Sequence, residues 1–199
     1  LIIDGTQSVG ALPFDAGEIQ PDALLVAGYK WLLGPYGFGL AYYGPYFDDG
    51  TPIEENWINR LHSERFENLV NYQPAYRPGA QRYSVGESSQ FVAVPMLTAA
   101  LRLILDWGVE NIQTYCRELT QPHLERLSEM GFWMEDARWR GSHLFGVRLP
   151  ENVDIAMLKN EAAARKVFVS FRGDAVRISP HLYNNEYDME QLINIFSDL

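Results

Sequence analysis

Leu1-Ile2-Ile3-Asp4-Gly5-Thr6-Gln7 and Ala23-Leu24-Leu25-Val26-Ala27-Gly28-Tyr29-Lys30 decide how the rest of the chain is read. Each is a short apolar run that breaks into small, polar residues, the pattern of a buried strand and its exit loop. The second run is apolar at successive positions, so both of its faces call for cover, as strands of parallel α/β sheets do. The segment between them, about 18 residues, is long enough for the crossover that a parallel pair needs. Such a pair places Asp4 and Lys30 at or just past the C-terminal strand ends, the edge at which open α/β sheets bind ligands. Because the chain opens without Met and already inside a strand, an upstream piece is expected.

Beyond Lys30, Gly34-Pro35-Tyr36-Gly37-Phe38-Gly39 reads as a turn leading into a third strand, Leu40-Ala41-Tyr42-Tyr43, able to run antiparallel. It leads into a strand and not a helix, so it is no phosphate cradle. Residues 44–90 lack periodicity and are too long for a passive loop. Phe91, Val94, Leu97, Leu101 and Leu105 recur at helical spacing from Ser88 to Gly108, and Val109, Ile112, Tyr115, Leu119, Leu124 and Leu127 continue a second helix to Gly131. The remainder predicts strands over 132–138 and 143–149, a helix over 154–166, strands over 167–171 and 175–179 with Arg172-Gly173-Asp174 as their turn, and a helix over 186–198. That order gives helices on one face of an antiparallel sheet, a small α+β layer.

Composition narrows the function class. The formal net charge of -10 and pI near 4.8 disfavour a nucleic-acid surface, which is built from clustered Lys and Arg. A single cysteine, Cys116, excludes an intrachain disulfide framework and fits a reducing, cytoplasmic setting. No apolar run reaches the length of a membrane span. His62, His123 and His143 show neither metal-ligand spacing nor a partner-carboxylate pattern, so no metal is expected.

Taken singly, Asp4 reads as a turn former and Lys30 as a solvated lysine. Together they are the pair a pyridoxal phosphate (PLP) enzyme needs: an amine to bond the cofactor aldehyde and a carboxylate to keep its pyridine nitrogen protonated. Asp4-Gly5-Thr6-Gln7-Ser8-Val9-Gly10, Ala27-Gly28-Tyr29-Lys30-Trp31 and Gly34 to Gly39 together resemble the signature of the class V aminotransferases, fold type I PLP-dependent enzymes. The resemblance implies that Lys30 forms the Schiff base, Asp4 holds the pyridine nitrogen, and Gln7 donates to the ring hydroxyl oxygen. Ala27 and Tyr29 stand where the commonest form of the motif has Ser and His; kynureninases also place Tyr before the lysine, which implies a Tyr29 hydroxyl on the cofactor phosphate. Arg82-Tyr83-Ser84-Val85-Gly86-Glu87, with Pro95-Met96-Leu97 and Asp106-Trp107-Gly108, resembles the segment that reaches across the family's dimer interface, with Glu87, followed by Ser88 and Ser89, where many members have Thr. Arg177, in Val176-Arg177-Ile178-Ser179-Pro180-His181-Leu182-Tyr183-Asn184, resembles the arginine that grips the substrate α-carboxylate, a task suited to its planar fork. His181 and Asn184 are expected to shape the following turn.

The resemblance implies a partial α/β PLP-dependent transferase fold: residues 1–90 a remnant of the large-domain sheet, 91–130 connecting helices, and 131–199 the small α+β domain. The expected parent is a homodimeric aminotransferase acting on an amino acid or related amine, with this piece inactive alone. Alternatives are a kynureninase-like hydrolase, a lyase or an epimerase, and, in another class, a non-catalytic dimerisation or binding module. A cysteine desulfurase is disfavoured because Cys116 falls in a predicted helix and not on a mobile loop.

Overall fold

The computed structural model describes residues 1–86, 88–151 and 153–197, in two compact units, Leu1–Asp106 and Trp107–Leu199. In the first, β1 (Ile2–Asp4) runs parallel to β2 (Ala23–Ala27) with Asp4 beside Leu25, and β3 (Gly39–Tyr43) returns antiparallel with Leu40 beside Val26. The predicted crossover contains a single helical turn, α1 (Ala16–Ile19), whose first N–H groups at Gly17 and Glu18 donate to the Asp15 carboxylate. Alternation along β2 turns Leu24 and Val26 toward Leu32 and Leu97, with Ile3, Val9 and Phe38 packed around them. Ile2 and Leu25, at the alternate positions, remain 68% and 45% exposed. Only one face of this sheet is therefore covered within the unit, where the apolar run called for two.

The irregular segment after β3 holds short 3-10 turns, from Pro45–Phe47 to Gly79–Tyr83. The Tyr83 hydroxyl donates to Phe47 O at 2.5 Å and its ring lies 4.5 Å from that of Tyr43, which ties the end of the segment to its beginning. Then α2 (Ala93–Trp107) begins later than its periodicity predicts, with Pro95 in the first turn, where no intrahelical N–H is needed.

The second unit contains α3 (Val109–Glu129), β4 (Trp133–Met134), β5 (Phe145–Arg148), α4 (Ile155–Ala164), β6 (Ser170–Arg172), β7 (Ala175–Ile178) and α5 (Glu186–Ser197). The strands pair antiparallel in the order β4-β5-β7-β6. Phe145, Val147, Val176 and Ile178 alternate into one core with Leu127 of α3, Leu158 of α4 and Ile193 of α5. Two strands depart from the predicted ranges for local reasons. β4 stops early because the Asp136 carboxylate accepts from the Arg138 N–H at 2.9 Å and from its guanidinium, turning the chain. β6 starts late because the Val167 N–H is spent on Ala162 O at the end of α4.

Both α3 and α4 end in the same way. Phe132 N–H donates to Leu127 O around Gly131 (φ +89°), and Val167 N–H donates to Ala162 O around Lys166 (φ +57°), a helix-ending pair of bonds that needs a left-handed residue. Among the described residues no helix is long and apolar enough to cross a membrane.

Candidate active site

The parallel register brings the exits of β1 and β2 together. Asp4 ends β1, and its carboxylate accepts from the Thr6 N–H at 3.0 Å. The Thr6 oxygen in turn accepts from the Ala27 N–H at 3.0 Å, so one hydroxyl joins the exit loop of β1 to the last residue of β2. The hydrogen bonds from the Thr6 hydroxyl and N–H, and then the Lys30 ammonium, hold the Asp4 carboxyl below the usual carboxylate range. Asp4 is exposed and stays ionised at neutral pH. Gln7 follows one residue beyond Thr6 and is half-buried.

Lys30 sits in a turn closed by Gly34 N–H on Gly28 O (2.7 Å) and by Leu33 N–H on Lys30 O (3.0 Å). Its two successors, Trp31 and Leu32, are buried, so the turn is pegged from below while Lys30 itself is exposed. Gly28 permits the close pass of the loop into β3: a Cβ there would stand 2.6 Å from Phe38 O. The Tyr29 ring stacks on Tyr36, centroids 4.4 Å apart, and the Lys30 amine lies 5.8 Å from the Tyr29 centroid. Thus Asp4, Gln7, Tyr29 and Lys30 share one edge of the first unit. An ionised carboxylate opposite an exposed primary amine is the donor set that a pyridinium aldehyde fits.

The sequence profile of the class V aminotransferases matches residues 1–192. The chain belongs to the class V aminotransferase family. An uncharacterized aminotransferase of Schizosaccharomyces pombe is 31% identical over 202 residues, 98% of this chain and 49% of that protein. Isopenicillin N epimerase of Amycolatopsis lactamdurans is 25% identical over 225 residues, 100% of this chain and 52% of that one. Among solved structures, a mutant of the cystine C-S lyase C-DES, with glycine covalently linked to its PLP cofactor, overlays with TM-score 0.80 at 19% identity, covering 100% of this chain and 51% of that one. That likeness shows the fold: part of the fold type I architecture of PLP-dependent enzymes. The chain spans about half the length of these relatives. The family's cofactor is pyridoxal phosphate.

In the second unit Arg177 lies on β7, on the sheet face opposite the core. Its register neighbours are Gly146 on β5 and Ser170 on β6, so small residues stand beside it on both strands. His181 and Asn184 close the turn before α5, as the sequence predicts: His181 N–H donates to Asn184 Oδ1 and Asn184 N–H to His181 O. Glu87 lies outside the described residues.

Sequence reading missed Thr6 as the link between the two strand exits. It also missed that α5 brings Glu186 and Glu190 to His123 of α3, across four strands and a helix, a separation beyond spacing rules. Tyr72 lines a cleft of about 470 Å³ with Trp57, Arg60 and His62, and the Tyr76 ring centroid lies 4.1 Å from the Arg60 guanidinium carbon.

Proposed function

We propose that this chain is the lysine-bearing part of a PLP-dependent aminotransferase that acts on an amino acid or related amine, with Lys30 as the residue that bonds the cofactor. The observation that carries the reading is the shared edge of β1 and β2, where Thr6 binds both Asp4 and the Ala27 N–H. When bound, PLP supplies an electron sink for the bond broken at the substrate α-carbon. Asp4 would keep the pyridine nitrogen protonated by charge pairing, a role that its lowered proton affinity suits. Gln7 would donate to the ring oxygen, and Tyr29, stacked on Tyr36, would offer its hydroxyl to the phosphate. Lys30 would hold the cofactor aldehyde, and its amine would serve as the base for the proton at the substrate α-carbon. Arg177 would hold the substrate carboxylate with its planar fork. We assign residues 1–90 to the large domain, 91–130 to connecting helices and 131–199 to the small domain, in a homodimer.

Cys116 supplies no nucleophile. It is fully buried in α3, its thiol faces Pro180 O at 3.7 Å, and burial pushes its pKa up to about 11. Epimerisation is the second reading, favoured by an epimerase relative that matches the whole chain. Transfer of the amino group to a 2-oxo acid separates it from deuterium exchange at the α-carbon without transfer.

The test is borohydride reduction of the PLP-loaded full-length protein followed by peptide mapping. This sequence has three lysines, Lys30, Lys159 and Lys166, and the label is expected on Lys30 alone. Label spread over all three, or its absence from Lys30, refutes the assignment and favours a non-catalytic module.

A further inference from the structure

We propose that His123, Glu186 and Glu190 form a site for one divalent metal ion of the zinc class, joining α3 to α5. Among the described residues this is the group of three whose ligand atoms all lie within 4.8 Å of one another. His123 has 1% of its side chain exposed, and neither ring nitrogen makes a hydrogen bond. Buried imidazole nitrogens left without a bond are costly, and they point to a partner of another kind.

The spacing of His123 Nε2 and Glu186 is that of two donors on one ion. His123 Nε2 lies 3.0 Å from Glu186 Oε1, without hydrogen-bond geometry. Two donors bound to one tetrahedral ion at about 2.0–2.1 Å stand roughly 3.3 Å apart. Glu186 and Glu190 are one helical turn apart on α5, so both carboxylates reach the same point. They are 68% and 39% exposed, which leaves them room to close on an ion and leaves a position for water.

Arg126 NH1 holds Glu190 Oε1 at 2.5 Å, and Glu190 Oε1 lies 3.9 Å from His123 Nδ1. A carboxylate has two oxygens, so the bond to Arg126 occupies one and leaves the other available to an ion. One imidazole with two carboxylates suits Zn²⁺ better than Ca²⁺ or Mg²⁺, which take oxygen donors throughout. An ion held only by the folded pair of helices would stabilise the second unit.

The experiment is calorimetric titration of the PLP-loaded full-length protein with Zn²⁺, with Co²⁺ as a spectroscopic probe. One equivalent per chain is expected, with a raised thermal midpoint and the visible band of four-coordinate Co²⁺. Glu186→Gln and Glu190→Gln are each expected to weaken binding by at least about tenfold while the Lys30 label is unchanged. Both side chains are partly exposed, so these variants fold, whereas His123→Asn tests the buried ligand at greater risk to the fold. Absence of stoichiometric Zn²⁺ binding overturns the proposal and leaves the cluster as an ion-pair clip. Binding that survives in both glutamate variants overturns it equally, by placing the ion elsewhere.

Discussion

The two units of this chain satisfy the hydrophobic effect in opposite ways. In Trp107–Leu199, four antiparallel strands and three helices share one core, and Val147, Val176 and Ile193 are fully buried. In Leu1–Asp106, four buried residues form the sheet's core and the alternate face carries exposed Ile2 and Leu25. The difference teaches where polar side chains are left accessible. In the open-faced unit Asp4 and Lys30 are exposed at and just past strand ends, the edge at which open α/β sheets bind ligands, whereas in the closed unit Arg177 lies on the sheet face opposite the core.

The sharpest division between the units comes from Lys30→Ala. It is expected to abolish all borohydride-trapped cofactor while leaving unfolding free energy within about 0.5 kcal/mol, because the side chain is exposed. A label that persists at full yield breaks the functional half of the comparison.

The core halves are compared next by Leu158→Ala in the closed unit and Leu32→Ala in the open one; the leucines are 1% and 2% exposed. Leu158→Ala is expected to cost about 3–4 kcal/mol in denaturant unfolding and Leu32→Ala about 2, since a small core collapses more readily around a void. Equal costs would show that the open face does not loosen the first unit.

A finer probe uses the two matched helix ends. Gly131→Ala is expected to lose about 1 kcal/mol, and Lys166→Gly to gain about 0.5–1 kcal/mol, because both positions have positive φ and only one carries glycine. Thermal unfolding reads both; changes of the same sign would refute the argument.

The smallest effect is electrostatic. The folded-state pKa of Asp4 lies below its unfolded value, so its stabilising contribution is present above the unfolded pKa and is lost as pH falls through the folded one. Replacing it by Asn should flatten the acid limb of the thermal midpoint below about pH 4, and parallel wild-type and variant curves would contradict the Thr6 bonds as its cause.

Much of this architecture was legible before any coordinates. β2 has the range its apolar run predicts, and the turn from Gly34 leads into β3 as read. Helical periodicity located α2 and α3, although Pro95 and the Gly131 turn set their ends. The misplaced strands, β4 and β6, failed where a side chain or a helix end captured a backbone N–H that a strand would have used. Those contests are decided by hydrogen-bond geometry within a few residues, which propensity does not weigh.

By itself the sequence determined that one apolar strand ends in Asp4, that a second leads into the turn carrying Lys30, and that the chain carries the class V signature, because strand pattern and turn chemistry are written in adjacent residues. Tertiary structure alone decided that Thr6 joins Asp4 to Ala27, that Arg177 lies between Gly146 and Ser170, and that His123 meets Glu186 and Glu190. Those meetings depend on strand register and on the rotation of one helix against another, and both are fixed only when the cores pack.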